Sequence, residues 1–233
     1  GGNIAEYLYR RPLIPLLRPS PPSGRRQQAA TARSLFDCRP SGDPMTYALI
    51  HPPQTEPLTL AEVKAHLRLD SDDEDVLLAA LIRTAREHLE RTTGLCLLRQ
   101  TWRLYLDRWP QTGVILIGRT PVQAIETILV FDGEGRAADI TAGEKLLDGA
   151  ARPARLWLRN PSAPGRSMNG IEIDFIAGYG EAGTDVPDTL KRAMLMHVAQ
   201  MFAFRGAVTP ENQPAAVPAG YERLVAPFCR LGL

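Results

Sequence analysis

The stretch 75–107, DVLLAALIRTAREHLERTTGLCLLRQTWRLYLD, contains a change of hydrophobic period that decides the fold class. In its first part, apolar residues recur every three or four positions, which predicts an amphipathic helix that ends at Gly94. Beyond Gly94 the period becomes two, with Trp102, Leu104 and Leu106 alternating with polar neighbours. This alternation predicts a half-buried strand. A long helix therefore leads directly into a β region.

The residues before this stretch predict a shorter helix with its own start signal. Thr59-Leu-Ala-Glu62 is a capping box, in which the Thr59 hydroxyl accepts from the Glu62 amide and the Glu62 carboxylate accepts from the Thr59 amide. We expect this helix to end near Leu69. The acidic run Asp70–Asp75 then places negative charge at the start of the long helix, where the helix dipole favours it.

Residues 97–180 have the pattern of short strands joined by turns. Asp132-Gly-Glu-Gly135 is typical of a hairpin turn. Such a series predicts an antiparallel sheet, curled or packed as a small sandwich. The apolar runs after the first strand are VILIG, IETILVFD, ADIT, KLLD, ARLWLR and IEIDFIAGYG.

A third helix is predicted over residues 185–205, with Pro187 in its first turn and Asp185 as its cap. Residues 206–233 predict a mobile proline-rich loop and a C-terminal segment with one short helix. The predicted fold class is α+β. Two N-terminal helices (58–94) and the C-terminal helix form a small helical core, and residues 97–180 form an antiparallel β insertion.

Residues 1–44 differ in composition from the rest. They contain seven arginines and three acidic residues, a net charge of +4, so the remainder carries −3 of the total of +1. They also contain seven of the 20 prolines, which prevents a continuous helix. Three interpretations stay open: a disordered basic arm, a targeting leader, or sequence upstream of a native start at Met45, the first methionine.

Composition excludes several functional classes. A net charge of +1 demands no polyanionic partner, and no apolar run approaches the roughly 20 residues that cross a bilayer. The three cysteines, Cys38, Cys96 and Cys229, form neither an even disulfide framework nor a metal-binding pair, so we expect them to be reduced in an intracellular setting.

The sequence has no recognisable catalytic or metal-binding pattern, which predicts a protein that is not an enzyme and has no cofactor or metal. Gly178–Gly183 fits the spacing GxGxxG, but Thr-Asp-Val-Pro separates it from the next helix, so a turn is predicted. None of the four histidines has a partner at zinc spacing. His88 and His197 fall on apolar helix faces, where they are expected to pack and have the option of meeting across the helix pair.

One alternative function is a single-stranded nucleic-acid-binding module, because a sheet with aromatic and arginine side chains can stack bases. The competing interpretation places Trp102 and Trp157 in the core and the arginines on a solvated face. The residues concerned are Trp102, Tyr105, Trp109, Trp157, Arg99, Arg103, Arg108, Arg155 and Arg159.

The order of these parts resembles a known family. PP-x-x-EP-LTLAE-x-K-AHLR-x-D is followed by DDED-x-L, A-R-E-H-x-E-x-x-TG, Q-TW-x-L-x-LD, I-x-F-x-AGYG, VP-x-x-L-K-x-A and Y-x-x-LV-x-P. This order is similar to that of the head–tail connector (adaptor) proteins of long-tailed bacteriophages, prophages and gene transfer agents. The resemblance covers about Pro52 to Phe228 and leaves out residues 1–44.

The resemblance implies that residues 45–233 form a connector domain with a structural role in the virion neck. It implies a ring, usually of twelve copies, beneath the portal protein, with a stopper or tail-completion protein below. Double-stranded DNA passes through the ring without sequence-specific contact. Assembly takes place in the host cytoplasm, and the final location is the head–tail junction of the virion.

The resemblance also implies contact surfaces. Family members engage the portal through the C-terminal segment, and a ring needs two different faces on each subunit. An alternative is that the C-terminal residues close the protein's own helical core. The expected portal-binding residues are Tyr221, Leu224, Val225 and Phe228. The expected subunit–subunit contacts are Glu74, Arg83, Glu87 and Arg103.

Overall fold

The computed structural model describes residues 45–204, 217–218 and 220–229. These residues all lie in the compact unit Phe36–Leu233. The predictions for residues 1–44, for Cys38 and for most of the proline-rich loop fall outside the described residues.

Four α-helices form within the described residues, close to the predicted positions. They are α1 (Leu60–Leu67), α2 (Asp75–Thr93), α3 (Asp188–Ala203) and α4 (Tyr221–Val225). Short 3-10 turns cover Gly183–Asp185 and Ala226–Phe228. The helices share one apolar core, to which α2 contributes Leu78, Ile82, Ala85 and Leu89, and α3 contributes Leu190, Ala193, Met194, Val198 and Met201.

The predicted start of α1 and the predicted end of α2 are confirmed. Thr59 and Glu62 form the capping box at the start of α1, and Gly94 ends α2 with φ of 75°, in the left-handed region that glycine tolerates. The acidic run makes no side-chain cap on α2. Instead, Asp72 and Asp75 both form ion pairs with Lys64 of α1.

The predicted cap of α3 is wrong. The Asp185 carboxylate accepts a hydrogen bond of 3.0 Å from the Ala182 amide within the preceding 3-10 turn. The residue before α3 is Pro187, which makes no side-chain cap. The Asp185 side chain therefore closes the turn and does not start the helix.

In the described part of the chain, eight strands form two antiparallel sheets, which confirms the α+β class. The strands are β1 (Thr46–His51), β2 (Gln100–Leu106), β3 (Val114–Ile117), β4 (Val122–Phe131), β5 (Ala137–Asp139), β6 (Lys145–Asp148), β7 (Ala154–Leu158) and β8 (Ile171–Ala177). The five-stranded sheet has the order β1-β2-β8-β4-β5, and the three-stranded sheet has the order β3-β7-β6. Asp132–Gly135 connects β4 to β5, as predicted for a hairpin.

The two sheets enclose a second apolar core, separate from the helical one. Leu104 of β2 and Phe175 of β8 are fully buried there, as are Ile115 and Leu156 from the three-stranded sheet. Strand β1 was not predicted. It pairs with β2 at the edge of the larger sheet, so a segment from before the helices completes the β region.

Candidate functional site

The C-terminal segment Gly220–Cys229 packs across the helical core. Tyr221 is 1% exposed and Val225 is fully buried, both within the apolar core of this subunit. Leu224 and Phe228 are half-buried at its edge. The Arg152 guanidinium lies 5.3 Å from the centre of the Phe228 ring, in the range of a cation–π contact.

His88 and His197 meet across α2 and α3, the option that the sequence left open. Their ring centroids are 4.9 Å apart, and Tyr221 lies 6.0 Å from His88 and 5.7 Å from His197. Burial lowers the pKa of His88, and the positive charge of Arg91 lowers it further. The three rings join α2, α3 and α4 in one aromatic cluster.

These placements separate the four predicted portal-binding residues into two pairs. Tyr221 and Val225 can reach a partner only if the segment leaves its own core, whereas Leu224 and Phe228 are partly accessible in place. The portal contact itself stays a prediction.

Three of the predicted subunit contacts lie along α2. Arg83 and Glu87 have exposed side chains, and their nearest ion pairs are long, 4.0 Å from Arg83 to Glu56 and 3.9 Å from Glu87 to Arg86. Both side chains are therefore able to form ion pairs with another molecule. Glu74 is the residue before the first turn of α2 and is half-buried.

Arg103, the fourth predicted contact, is engaged within its own sheet. It donates two hydrogen bonds to Asp174, of 2.6 and 2.8 Å, and pairs with Glu172 at 2.8 Å. The hydrogen bonds that Arg103 of β2 donates to Asp174 of β8 are the main cause of the raised pKa of Arg103. A partner subunit would have to compete with two carboxylates for this guanidinium.

The same observation weakens the nucleic-acid alternative. Three other arginines of the predicted surface are also paired with carboxylates: Arg99 with Glu181, Arg155 with Asp148 and Arg159 with Glu144. These pairs place a carboxylate beside each guanidinium and so lower the net positive charge of the predicted surface. Trp102 packs against the inner core, and the Arg119 guanidinium lies 4.4 Å from its ring centre.

The interpretation of Trp157 as a core residue is wrong. Trp157 alternates with Leu156 and Leu158, which are buried, and its own side chain is half-exposed on the opposite face of β7. It pairs with Val114 of β3 and Leu146 of β6. Trp157 therefore belongs to an outward apolar face of the three-stranded sheet.

A buried polar network at the junction of α2 with the β region was missed by the sequence analysis. The Glu90 carboxylate accepts from Arg86 at 3.0 Å, from the Leu97 amide at 2.8 Å and from Gln100 at 2.9 Å. Arg86 also donates to Glu56 at 2.8 Å. The i, i+4 spacing of an arginine and a glutamate on an otherwise apolar helix face was the available signal.

Burial is the main influence on Glu90 and raises the pKa of its carboxyl, although the Leu97 amide and Arg86 act against this. Both carboxylate oxygens of Glu90 and all three guanidinium nitrogens of Arg86 have hydrogen-bond partners, as a buried charge requires. The network holds the end of α2 against the start of β2, so its role in this structure is to fix the junction.

Within the described residues, no group of three His, Cys, Asp or Glu side chains could hold a metal ion. Burial raises the pKa of the Cys96 thiol, which disfavours a reactive thiolate. Gly178–Gly183 forms a turn between β8 and α3, as predicted. No helix in the described part of the chain is long and apolar enough to span a bilayer.

Comparison with known families gives a match over residues 57–151, which contain α1, α2 and strands β2 to β6. The family is described as phage gp6-like head-tail connector protein. The predicted resemblance to head–tail connectors is confirmed. No curated protein matches the chain.

Solved structures share the fold over a larger part of this chain. One is described as the neck of an empty GTA particle computed with C6 symmetry, and another as the virion of a native gene transfer agent particle. Each is 24% identical in sequence to this chain, with a TM-score of 0.67. The aligned region covers 81% of this chain and 97% of the solved chain. A third, the neck of a native GTA particle computed with C12 symmetry, is 23% identical with a TM-score of 0.66.

Proposed function

We propose that this protein is a structural head–tail connector subunit. The observation that carries the proposal is the family match over 57–151, which contains both N-terminal helices and the junction with the β region. The shared fold with neck proteins of gene transfer agent particles supports it. In this role the protein is located at the head–tail junction of a virion or virion-like particle.

The proposed assembly is a ring of identical subunits beneath the portal protein, followed by a stopper or tail-completion protein. The neck structures with a similar fold, which were computed with C6 and C12 symmetry, favour a cyclic arrangement. Twelve copies is the expected number. The exposed face of α2, with Arg83 and Glu87, is one proposed contact between subunits. In such a ring, each subunit binds its neighbour through two different faces.

The proposed ring forms part of the channel for double-stranded DNA. The sequence from residue 45 onward has a net charge of −3. A channel wall without excess positive charge lets DNA slide, because it does not bind phosphates in exchange for counterions.

The proposed portal contact is the C-terminal segment. Leu224 and Phe228 offer apolar surface at the edge of the core without any rearrangement. Tyr221 and Val225 then hold the segment in position from within, which is a supporting role in the contact.

The test is recovery of partners from cells that produce the particle. The tagged full chain is purified from them, and the proteins that accompany it are identified by mass spectrometry. Recovery of a portal or neck protein supports the proposed role, and recovery of only nucleic acid or metabolic enzymes contradicts it. Leu224→Glu should reduce portal recovery, while Glu222→Ala, at an exposed position of the same helix, should not.

A further inference from the structure

The outer face of the three-stranded sheet is apolar where a monomer would normally expose polar residues. Its first row consists of Val114, Trp157 and Leu146, paired directly across β3, β7 and β6. Leu146 is 67% exposed, and Val114 and Trp157 are half-exposed. Contiguous exposed apolar patches of this kind mark contact sites.

The second row of the same face is mixed. Leu116 of β3 is 44% exposed and pairs with Arg155 of β7, which in turn pairs with Asp148 of β6. Arg155 and Asp148 form an ion pair with exposed side chains. The face therefore changes from apolar to charged over two residues of strand, roughly 7 Å.

The exposed side of α2 shows the same change along its length. Val76 is 87% exposed, and Ala79 and Ala80 are exposed beside it. One turn further, Arg83 and Glu87 provide a positive and a negative charge, whose ion pairs with described residues of the same subunit are 4.0 and 3.9 Å long. The small alanine side chains allow a flat surface to approach the helix closely.

The two faces match in size and in charge. Three strands span roughly 10 Å, because neighbouring strands lie about 4.8 Å apart, and a helix with its side chains is about 10 Å wide. When α2 lies along the strands with Val76 over the apolar row, Arg83 is roughly 10 Å further along the helix, close enough to the charged row for its long side chain to reach Asp148.

We infer that the outer face of the three-stranded sheet of one subunit receives the exposed face of α2 from the next subunit. The occupant is thus a second copy of this chain, and the inference rests on the proposed ring. Because the two faces differ, the contact is heterologous and can continue from subunit to subunit until a ring closes. A contact of the sheet face with itself would stop at a dimer.

The test is crosslinking within particles made by cells that express the full chain. All variants carry Cys38→Ser and Cys229→Ser, which leaves the buried Cys96 as the native cysteine. Val76→Cys is combined with Leu146→Cys, or with Met168→Cys as the matched control, since Met168 is 69% exposed outside both faces. Purified particles are treated with a short bismaleimide and separated on a denaturing gel.

We expect a ladder of three or more linked subunits from Val76→Cys with Leu146→Cys, and single chains from each cysteine alone and from the control pair. Single chains from the test pair in particles that contain the protein overturn the inference and leave the connector role intact. Absence of the wild-type protein from particles contradicts the proposed function and removes the inference with it.

A second variant keeps the test independent of crosslinking geometry. Leu146→Glu places a charge on the apolar row without disturbing a buried side chain, and Met168→Glu is its control. We expect at least a tenfold loss of Leu146→Glu from particles and normal incorporation of Met168→Glu. Equal incorporation of both variants contradicts the proposed face.

Discussion

His88 and His197 lie edge to face across α2 and α3, with ring centroids 4.9 Å apart, and Tyr221 of α4 touches both. The cluster ties the C-terminal segment to the two longest helices. The ionisable groups around it are the two imidazoles, the Tyr221 phenol, Arg91 on α2 and Cys229 beyond α4. The first prediction concerns the protonation of this cluster.

The first prediction is that stability falls in mild acid because of His88. Its pKa is lowered in the folded state, so below the ordinary value of about 6.5 the unfolded chain binds more protons than the folded one. Since stability rises with pH wherever the unfolded state binds more protons, stability is lost as pH falls through this range. Urea unfolding at pH 7.0 and pH 5.5 measures the loss.

His88→Gln should lose less stability than the wild type between these pH values. His51→Gln is the control, because His51 is exposed on the edge strand β1. Glu90, with its raised pKa, acts in the opposite direction in every variant and cancels in the comparison. An unchanged pH dependence in His88→Gln would contradict the assignment of the loss to His88.

The second prediction concerns the Tyr221 hydroxyl. Within the described residues this buried oxygen has no hydrogen-bond partner. Tyr221→Phe should therefore leave the free energy of unfolding unchanged or raise it slightly, because a buried polar group without a partner is costly. Tyr221→Ala should lower it by about 3–5 kcal/mol, since a large cavity remains. Chemical denaturation distinguishes the two, and a large loss in Tyr221→Phe would mean that the hydroxyl has a partner.

The third prediction is that the junction network is the most sensitive polar site. Within the described residues, Glu90→Gln leaves the Arg86 charge with Glu56 as its hydrogen-bonded carboxylate partner and should cost about 3 kcal/mol. Glu87→Gln, on the exposed side of the same helix, should change stability by less than about 0.5 kcal/mol. Equal effects in thermal or urea unfolding would contradict the view that the network fixes the end of α2 against β2.

Local signals in the sequence predicted most of the elements. The capping box at Thr59, Gly94 at the end of α2 and the turn at Asp132 were all found from short-range chemistry, and each is confirmed. Each of these features depends on residues within four positions of one another. The α+β class followed from the change of hydrophobic period after Gly94.

Three features were missed or predicted wrongly, each for a different reason. The residues that pair between β1 and β2 are 50 to 59 positions apart in the sequence, and the pattern of β1 gives little sign of pairing. Trp157 was assigned to the core because alternation identifies two faces but does not say which one is inward. The Asp185 carboxylate accepts from the Ala182 amide and not from an amide at the start of α3. Composition alone does not reveal this choice.

The fourth prediction tests nucleic-acid binding directly. Because Arg99, Arg103, Arg155 and Arg159 are paired with carboxylates, residues 45–233 should not bind a single-stranded oligonucleotide even at low salt. Fluorescence anisotropy against increasing salt measures this. Binding by the full chain alone would assign it to the basic residues 1–44, whereas salt-dependent binding by residues 45–233 would restore the nucleic-acid-binding module as the function.

The fifth prediction is a charge exchange between the two proposed ring faces. Arg83→Glu should place a carboxylate opposite Asp148 of the next subunit, and the like charges should reduce incorporation into particles several-fold, because the same repulsion recurs at every interface. Asp148→Lys in the same chain should restore incorporation. Arg136→Glu is the control, since Arg136 is 73% exposed at the β4–β5 hairpin. If the double variant is no better incorporated than Arg83→Glu, these two residues do not meet across the interface, and the sheet face must bind a different part of its neighbour.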